Sequence, residues 1–190
     1  QNVNSYQGGG GAFADLLYRL DKMGVPRIRF MTSHPKDLSD ELIAAYAELP
    51  HLCKQLHLPV QAGSDRILKL MNRGYTRDQY LALTDRLRAV CPEIGLTSDL
   101  IVGFPGETED EFEETLSLAG RVRFDAAFTF IYSPRPGTRA AGMADDTPMA
   151  EKTRRIERLI ALQGAITSEV LASEVGATRT VLVEGASTRN

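Results

Sequence analysis

Residues 98–115 read SDLIVGFPGETEDEFEET, an apolar run that passes through a turn containing Gly and Pro into a helix signal. Residues 95–102 are predicted to form a strand because Leu, Ile and Val gather toward their end. Thr108 and Glu111 have the spacing of a capping box, so a helix is expected to begin there. A strand, a polar turn and an amphipathic helix in this order predict βαβ units and a parallel sheet.

The same order of elements recurs on both sides of this stretch. Further strands are predicted at 27–31, 55–60, 126–132 and 180–183, the last with nothing yet to pair with. Helices are predicted at 12–23, about 39–49, about 67–71, 76–90, 108–122 and 148–173. The last of these has Thr147 as its expected N-cap and Pro148 at its first helical position. We therefore expect a partial barrel at 1–147, a helix packed on it at 148–176 and the start of another domain at 177–190.

Composition limits the possible classes of protein. The chain has 190 residues, 43% hydrophobic and 25% charged, as is typical of soluble globular proteins. Its net charge of -3 gives no global electrostatic case for a self-contained RNA-binding module. No run approaches the roughly 20 apolar residues of a membrane span, and residues 1–11 do not have the pattern of a signal peptide. The chain opens without Met, and we expect it to be a piece of a longer protein.

The two cysteines, Cys53 and Cys91, lie far apart and neither belongs to a CxxC or CxxxC spacing. We predict that both are reduced thiols of an intracellular protein and that neither is a metal ligand. The chain contains no nucleophile elbow, P-loop or dinucleotide-binding fingerprint.

The polar turns follow the predicted strands, and ligands of parallel sheets bind at the carboxyl ends of strands. Asp99 interrupts a buried strand, so its carboxylate needs a hydrogen-bond partner. Gly103 and Gly106 would let the backbone approach a flat ligand, and Pro105 would stiffen the turn between them. The alternative is a tight strand-to-helix turn that ends in a helix cap.

Residues 61–65, QAGSD, carry an amide and short oxygen-bearing side chains that can bind ribose hydroxyls or a ligand amine. The alternative is a plain connection in which Ser64 or Asp65 caps a helix. Arg73 is a candidate for pairing with a ligand carboxylate, and a solvated surface Arg is the alternative. His34 and His57 lie near strand ends without a third ligand at metal spacing, so we predict structural roles for them.

Six phrases, in order, resemble the radical S-adenosylmethionine methylthiotransferases: QNVNSY, RIRFMTSHP, LHLPVQAGSDRIL, MNRGYTRDQY, SDLIVGFPGETEDEFEET and YSPRPGTRAA. The resemblance covers residues 1–190 almost continuously. QNVNSY, RIRFMTSHP and Pro136 of SPRPGT resemble the branch that acts on dimethylallyladenosine of tRNA. The branches that act on threonylcarbamoyladenosine or on a ribosomal protein tend to differ at these points, and both remain alternatives.

The resemblance implies an α/β fold, a partial and open TIM-like radical SAM barrel that lacks its first strands and ends in a long helix. It also implies two 4Fe-4S clusters. One, on three cysteines, reduces S-adenosylmethionine to a 5′-deoxyadenosyl radical that takes hydrogen from C2 of the adenine. The second holds the sulfur that is inserted, and another S-adenosylmethionine supplies the methyl group. The implied partners are tRNA and a reductant, and the implied location is the cytoplasm.

The resemblance also suggests roles for individual residues. It places Gln61 and Asp99 on the ribose of S-adenosylmethionine and Arg73 on the methionine carboxylate. The other residues expected in the cofactor site are Ser64 beside Gln61, the weaker candidates Ser33 and Asn2, and Gly103, Pro105 and Gly106 as the wall near the adenine. Arg135 is a candidate contact with RNA or substrate. No catalytic residue and no metal ligand is assigned.

Several departures from the family pattern affect these expectations. The CxxxCxxC loop of the radical cluster and the three cysteines of the N-terminal domain are absent from this sequence. The C-terminal RNA-binding β-domain would begin near Thr178, and Ala62 replaces a common Ser. We expect the chain as given to bind no cluster, to be inactive and to expose a strand edge through which it can dimerise. A cluster-free α/β module that binds a nucleoside is the alternative of another class.

Overall fold

Three parallel strands form the centre of the fold. The computed structural model describes residues 3–5, 7–8, 11–31, 33–183 and 185–186. Its helices and strands are β1 (Gln7–Gly8), β2 (Gly11–Ala12), α1 (Phe13–Lys22), α2 (Asp40–Glu48), β3 (Gln55–His57), α3 (Asp65–Leu70), α4 (Arg77–Val90), β4 (Gly95–Val102), α5 (Glu109–Val122), β5 (Ala126–Ile131) and α6 (Met149–Ser173). The central sheet has the order β3-β4-β5, and β1 pairs with β2 in a separate antiparallel hairpin. The predicted α/β class is confirmed.

The strand predicted at 27–31 is reduced to one bridge, between Ile28 and Leu52. The backbone N–H of Ser33 donates to the carbonyl of His57 at 3.0 Å, which puts residue 33 in register with residue 58. In the register set by Ile28 and Leu52, residue 33 would instead face residue 57. The two contacts therefore differ by one residue in register, and no regular ladder can connect them. The segment therefore lies beside β3 without forming a continuous strand.

The strand predicted at 55–60 ends at His57, where the register against β4 shifts by one residue, from the His57–Thr97 pair to the Gln61–Leu100 pair. The Ser98 hydroxyl takes over at this point: it accepts from the N–H of Val60 at 3.0 Å and donates to the carbonyl of Leu58 at 3.1 Å. Pairing resumes as a single parallel bridge between Gln61 and Leu100. Between these two stretches of ladder bonds, the Ser98 side chain holds the chain to β4.

Both predicted capping boxes are confirmed. Thr76 with Gln79 begins α4, and Thr108 with Glu111 begins α5. The prediction for α6 was wrong by one residue: Pro148, in extended conformation, occupies the N-cap, and the helix begins at Met149 instead of Pro148. Because the carbonyl of Pro148 accepts from the N–H groups of residues 151 and 152, Thr147 is left outside the helix.

The two faces of the sheet have different surroundings. The even-numbered residues of β4 are buried among the helices, where Leu96, Leu100 and Val102 join one core with Phe112 and Leu159. The odd-numbered residues of β4 are only partly buried on the opposite face. Helix α6 packs on β5 and α5, on the covered side. Within the described residues the sheet is open rather than closed into a barrel, as predicted.

The strand predicted at 180–183 is absent. Residues 180–183 are exposed and make no strand pairing with the other residues that the structure describes. Alternation of apolar residues can predict an extended segment, but a strand also needs a neighbouring backbone to pair with. The proposed division into domains stays a prediction, and residues 184 and 187–190 lie outside the described residues. Among the helices described, none is both long and apolar enough to cross a membrane.

Candidate functional site

Asp99 lies on the open face of the sheet, and its nearest charged partner is His57. The Nε2 atom of His57 is 3.5 Å from Oδ1 of Asp99, with the aspartate side chain 29% exposed. The other ring nitrogen, Nδ1, is 3.0 Å from the hydroxyl of Thr97, which also accepts from the amide of Gln55 at 3.4 Å. The parallel register places His57 opposite Thr97, so all four side chains share one face. The Asp99 carboxylate, predicted to be buried and hydrogen-bonded, is instead partly exposed, and the side chain that faces it is a histidine of the neighbouring strand.

Two phenylalanines of β5 extend this face beside the polar group. Phe128 is in register with Asp99, and its ring meets the His57 ring edge-on at a centroid distance of 6.1 Å. Phe128 is 60% exposed and Phe130 is 50% exposed, unusually high values for aromatic residues of a central sheet. Neither residue was predicted as part of the site, although the two-residue spacing in AAFTFI places both on one face.

Gln61 lies beside Asp99 in a strained backbone conformation. Its φ is +79°, a left-handed value that a residue with a side chain adopts only where the surroundings impose it. The N–H of Gln61 donates to the carbonyl of Asp99 at 3.0 Å, and the N–H of Ile101 donates to the carbonyl of Gln61 at 2.8 Å. The two predicted ribose-binding residues are therefore joined through the backbone.

Arg73 is held against the end of β3 and is not a freely solvated side chain. Its Nε donates to the Tyr75 hydroxyl at 3.2 Å, its Nη2 donates to the carbonyl of Pro59 at 3.4 Å, and its guanidinium lies 5.7 Å from the centre of the Tyr75 ring. His34 meets the other side of this group, with its ring 5.8 Å from that of Tyr75. Burial lowers the pKa of His34, and the charge of Arg73 lowers it further. Arg73 therefore brings a fixed positive charge to this end of the sheet.

The two predicted serines are both buried and already bonded to the protein. The Ser33 hydroxyl donates to the side-chain oxygen of Asn4 at 3.2 Å. Ser64 is the N-cap residue of α3, but its hydroxyl donates to Glu111 at 3.1 Å rather than capping the helix. Asn2, the third of the weaker candidates, lies outside the described residues. Their roles in a cofactor site stay predictions.

The turn after β4 is shaped by α6. Gly103 has φ +68°, and a Cβ on it would lie 2.7 Å from the aliphatic chain of Lys152. The close approach that the sequence analysis assigned to a flat ligand is thus made, at Gly103, by a lysine. Gly106, with φ +76°, has no atom within 4 Å of such a Cβ, so only Gly106 leaves that space open. Pro105 is buried between them.

A buried ion pair between Glu107 and Arg155 also fixes the turn after β4. Glu107 accepts from the N–H of Gly103 at 2.7 Å and from Nη1 of Arg155 at 2.9 Å. Burial raises the pKa of Glu107, although both of these hydrogen bonds favour its charged form. Arg155 also donates to the Glu107 carbonyl at 3.0 Å and lies 5.8 Å from the centre of the Phe112 ring.

Lys152, Arg155 and Glu107 were not among the residues predicted from the sequence. A signal was present: residues 152 and 155 fall on the helical repeat that buries Leu159 and Ile166, so two cations of α6 face the core. A cation at a core position of a helix indicates a buried carboxylate partner.

The part of the chain that the structure describes does not fit an iron–sulfur cluster. Cys53 is half-buried and Cys91 is buried, and both are free thiols. Burial raises the pKa of Cys91, which opposes the thiolate form that binds iron. In the described residues, no group of three or more His, Cys, Asp or Glu side chains is placed to hold a metal ion.

Comparison with known proteins gives consistent matches. The family model of the Radical SAM superfamily matches residues 8–119. The chain is 56% identical, over 98% of its length, to a protein of Syntrophotalea carbinolica named tRNA-2-methylthio-N(6)-dimethylallyladenosine synthase. Proteins of the same name from Syntrophomonas wolfei and Thermoanaerobacter sp. are also 56% identical, over 100% of this chain. The chain spans only 41–44% of the length of these three relatives.

Among solved structures, coproporphyrinogen III oxidase (HemN) from Escherichia coli, described as a radical SAM enzyme, superposes with a TM-score of 0.62. The identity is 20%, and the match covers 80% of this chain and 37% of that one. At this identity the likeness concerns the fold.

Proposed function

Because the chain belongs to the Radical SAM superfamily, we propose that it is the S-adenosylmethionine-binding part of an enzyme that methylthiolates dimethylallyladenosine in tRNA. One observation carries this proposal: the identity of 56% to relatives named for that product extends over 98–100% of this chain. Since the chain spans less than half of each relative, the remaining parts of the reaction belong to segments outside it.

The open face supports the cofactor part of the proposal. The Asp99 carboxylate can accept hydrogen bonds from the two ribose hydroxyls, and the Gln61 amide can accept or donate beside it. Arg73, already turned toward the end of β3, offers the planar donors that match a carboxylate. S-adenosylmethionine, when bound, supplies the radical and the methyl group, while these residues bind and orient it.

The exposed phenylalanines support the same placement. Phe128 and Phe130 form an apolar wall next to the His57–Asp99 pair. Such a wall offers a stacking surface for a nucleobase and excludes water from the neighbouring polar groups. A flat, partly apolar ligand with hydroxyls at one edge therefore fits this face better than a small anion does.

The cofactors and partners beyond this site are proposals for the whole protein. The two 4Fe-4S clusters and the reductant that serves them are assigned to segments outside this chain, since the described cysteines do not fit a cluster. The names of the relatives support tRNA as substrate, and a tRNA-modifying role fits the cytoplasm. Arg135, exposed just after β5, is the proposed contact of this chain with RNA.

Dimerisation through a strand edge also stays a proposal. The segment beside β3 is bridged only at Ile28, and Arg27 and Arg29 are exposed on either side of it. Charged residues at an edge weaken pairing with a second copy, so we expect only a weak dimer. Sedimentation velocity at increasing protein concentration tests it, and a pure monomer at the highest concentration would refute it.

The function is tested on the whole protein that contains this chain. Its clusters are reconstituted without oxygen, S-adenosylmethionine and isopentenylated tRNA are added, and digested nucleosides are analysed by mass spectrometry. We expect a methylthio product that is lost in Asp99→Ala and Arg73→Ala. The matched control is Asp85→Ala, which removes only a surface pair with Arg121. Intact clusters without this product would contradict the proposed substrate and favour threonylcarbamoyladenosine or a protein in its place.

A further inference from the structure

We infer that His57 is a positioning residue that orients the Asp99 carboxylate for its ligand. The inference rests on the proposed function, because it assumes that Asp99 binds S-adenosylmethionine. A carboxylate on an open strand face has several staggered rotamers available, so Asp99 alone does not fix the direction of its oxygens. The neighbouring imidazole, 3.5 Å from Oδ1, selects among them.

The protonation of the His57 ring is set by its other neighbours. With the Gln55 amide donating to the Thr97 hydroxyl at 3.4 Å, the hydroxyl proton is free to point to Nδ1 of His57 at 3.0 Å, and this arrangement turns an N–H group rather than a bare nitrogen toward the Asp99 carboxylate. A ring nitrogen that accepts a hydrogen bond leaves the proton on the other nitrogen. The Nε2–H group therefore faces Asp99.

The ring itself cannot easily turn away. The His57 side chain is only 18% exposed, and the edge-on contact with Phe128 limits its movement on the open side. The His57 backbone is held on both sides, because its carbonyl accepts from Ser33 at 3.0 Å and it pairs with Thr97 in the ladder. The donor that faces Asp99 is thus fixed before any ligand binds, which is the condition for preorganised binding.

The contact uses one carboxylate oxygen and leaves the other available. Within the described residues, no hydrogen bond reaches Oδ2 of Asp99, and no Lys or Arg side chain pairs with this carboxylate. The arrangement resembles the support that ligand-binding carboxylates and imidazoles commonly receive from a second residue. We therefore expect His57 to affect ligand affinity through Asp99, without touching the ligand itself.

The test uses substitutions that distinguish the roles of the two ring nitrogens of His57. His57→Gln keeps an N–H near the position of Nε2, whereas His57→Asn keeps one only near Nδ1. The probe is S-adenosylhomocysteine, which is not cleaved, and its dissociation constant is measured by calorimetry on the whole protein with reconstituted clusters. His51→Asn is the matched control, since His51 also pairs with an aspartate, Asp21, at 2.9 Å, but before β3 begins.

We expect His57→Asn to weaken binding about tenfold, because the Nε2–H group that orients the Asp99 carboxylate is lost. His57→Gln should stay within about threefold of the wild type, a rescue that mere loss of ring packing would not give. Combined with Asp99→Asn, the His57→Asn substitution should add nothing further, because its effect acts through that carboxylate.

Two results overturn the inference. One is wild-type affinity in His57→Asn while Asp99→Asn binds weakly. The other is full additivity of the two substitutions. Failure of the proposed function looks different, because then the wild type does not bind S-adenosylhomocysteine, or Asp99→Asn binds it as well as the wild type does. Cluster absorbance and the thermal midpoint of each variant identify losses due to misfolding. Thr97→Val, which removes the hydroxyl that bonds both Nδ1 of His57 and the Gln55 amide, repeats the test at a second residue.

Discussion

Lys152 lies directly against Gly103, so that a Cβ on the glycine would come within 2.7 Å of Cγ and Cδ of the lysine. The lysine cannot move aside freely, because it is 4% exposed and its ammonium group pairs with Asp145. The glycine is thus required by a contact between the turn after β4 and α6.

Replacement of Gly103 by Ala should therefore destabilise the protein more than the same change at Gly106. Both glycines have positive φ, which costs an Ala on the order of 1 kcal/mol at either site. Only Gly103 adds the clash with Lys152, for a total of about 2–4 kcal/mol. Urea unfolding of the two variants measures the difference. Equal losses would mean that Lys152 moves aside at no cost.

Gln61→Gly should stabilise the fold and weaken the ligand site. Glycine relieves the backbone strain at φ +79°, a gain of up to about 1 kcal/mol in the free energy of unfolding. Loss of the amide should weaken binding of S-adenosylhomocysteine about tenfold.

The control for this trade-off is Asn72→Gly, at φ +57°, where the residue is exposed. It should give a smaller gain in stability and leave affinity unchanged. If Gln61→Gly is stabilised and binds S-adenosylhomocysteine as well as the wild type does, the backbone strain at Gln61 does not contribute to ligand binding.

Glu111→Gln should destabilise the protein at neutral pH but not in acid. Burial opposes ionisation of Glu111, yet hydrogen bonds from Arg66, Thr108 and Ser64 lower its pKa from 4.5 to about 2. Because the folded-state pKa is the lower one, the carboxylate stabilises the fold above about pH 4.5, and this contribution is lost as the pH falls toward about 2.

The free energy of unfolding of Glu111→Gln should thus lie about 2 kcal/mol below the wild type at pH 7, and the gap should narrow as the pH falls toward about 3. The Gln retains the capping box with Thr108, so the helix start is not lost. Glu113→Gln, which breaks an exposed pair with Arg158, is the control and should change stability by less than about 1 kcal/mol. A gap that does not depend on pH would show that the charge of Glu111 contributes nothing.

Arg73→Gln should impair binding of ligands that carry a carboxylate and spare those that lack one. Affinity for S-adenosylhomocysteine should fall at least about tenfold, whereas affinity for 5′-methylthioadenosine, which has no amino-acid group, should stay unchanged. Stability should fall by less than about 1 kcal/mol, since the bonds of Arg73 to Tyr75 and Pro59 are long. Arg86→Gln, at an exposed pair with Asp40, is the control. Equal losses for both ligands would place Arg73 away from the carboxylate.

Local signals predicted most of the helices and the central strand. The capping boxes at Thr76 and Thr108 act within four residues, so sequence spacing alone determines where α4 and α5 begin. The strand at 95–102 was predicted with the bounds that the structure shows, because the Leu, Ile and Val residues toward its end are also a local signal. At 27–31 and 180–183 the prediction failed, since strand pairing depends on the register and presence of a neighbour.

The candidate site divides in the same way. Asp99, Gln61 and Arg73 were found because strand ends and turns are visible in the sequence, and their cofactor roles stay predictions. The sequence could not show that Lys152 would occupy the space beside Gly103, because that contact joins residues far apart in the chain. A role for His57 beyond a structural one was likewise not predictable, since only the register of β3 against β4 places its ring beside Asp99.

The alternation along β4 has a consequence for how this protein can change in evolution. Core packing depends on even-numbered positions such as Leu100, and ligand contact is assigned to odd-numbered ones such as Asp99. Substitutions at the odd positions can therefore alter specificity while the interior stays intact. Insertion or deletion of a single codon within β4 would exchange the two sets, burying the carboxylate and exposing the leucine. Such a strand can diverge by point mutation, but its length must be inherited unchanged.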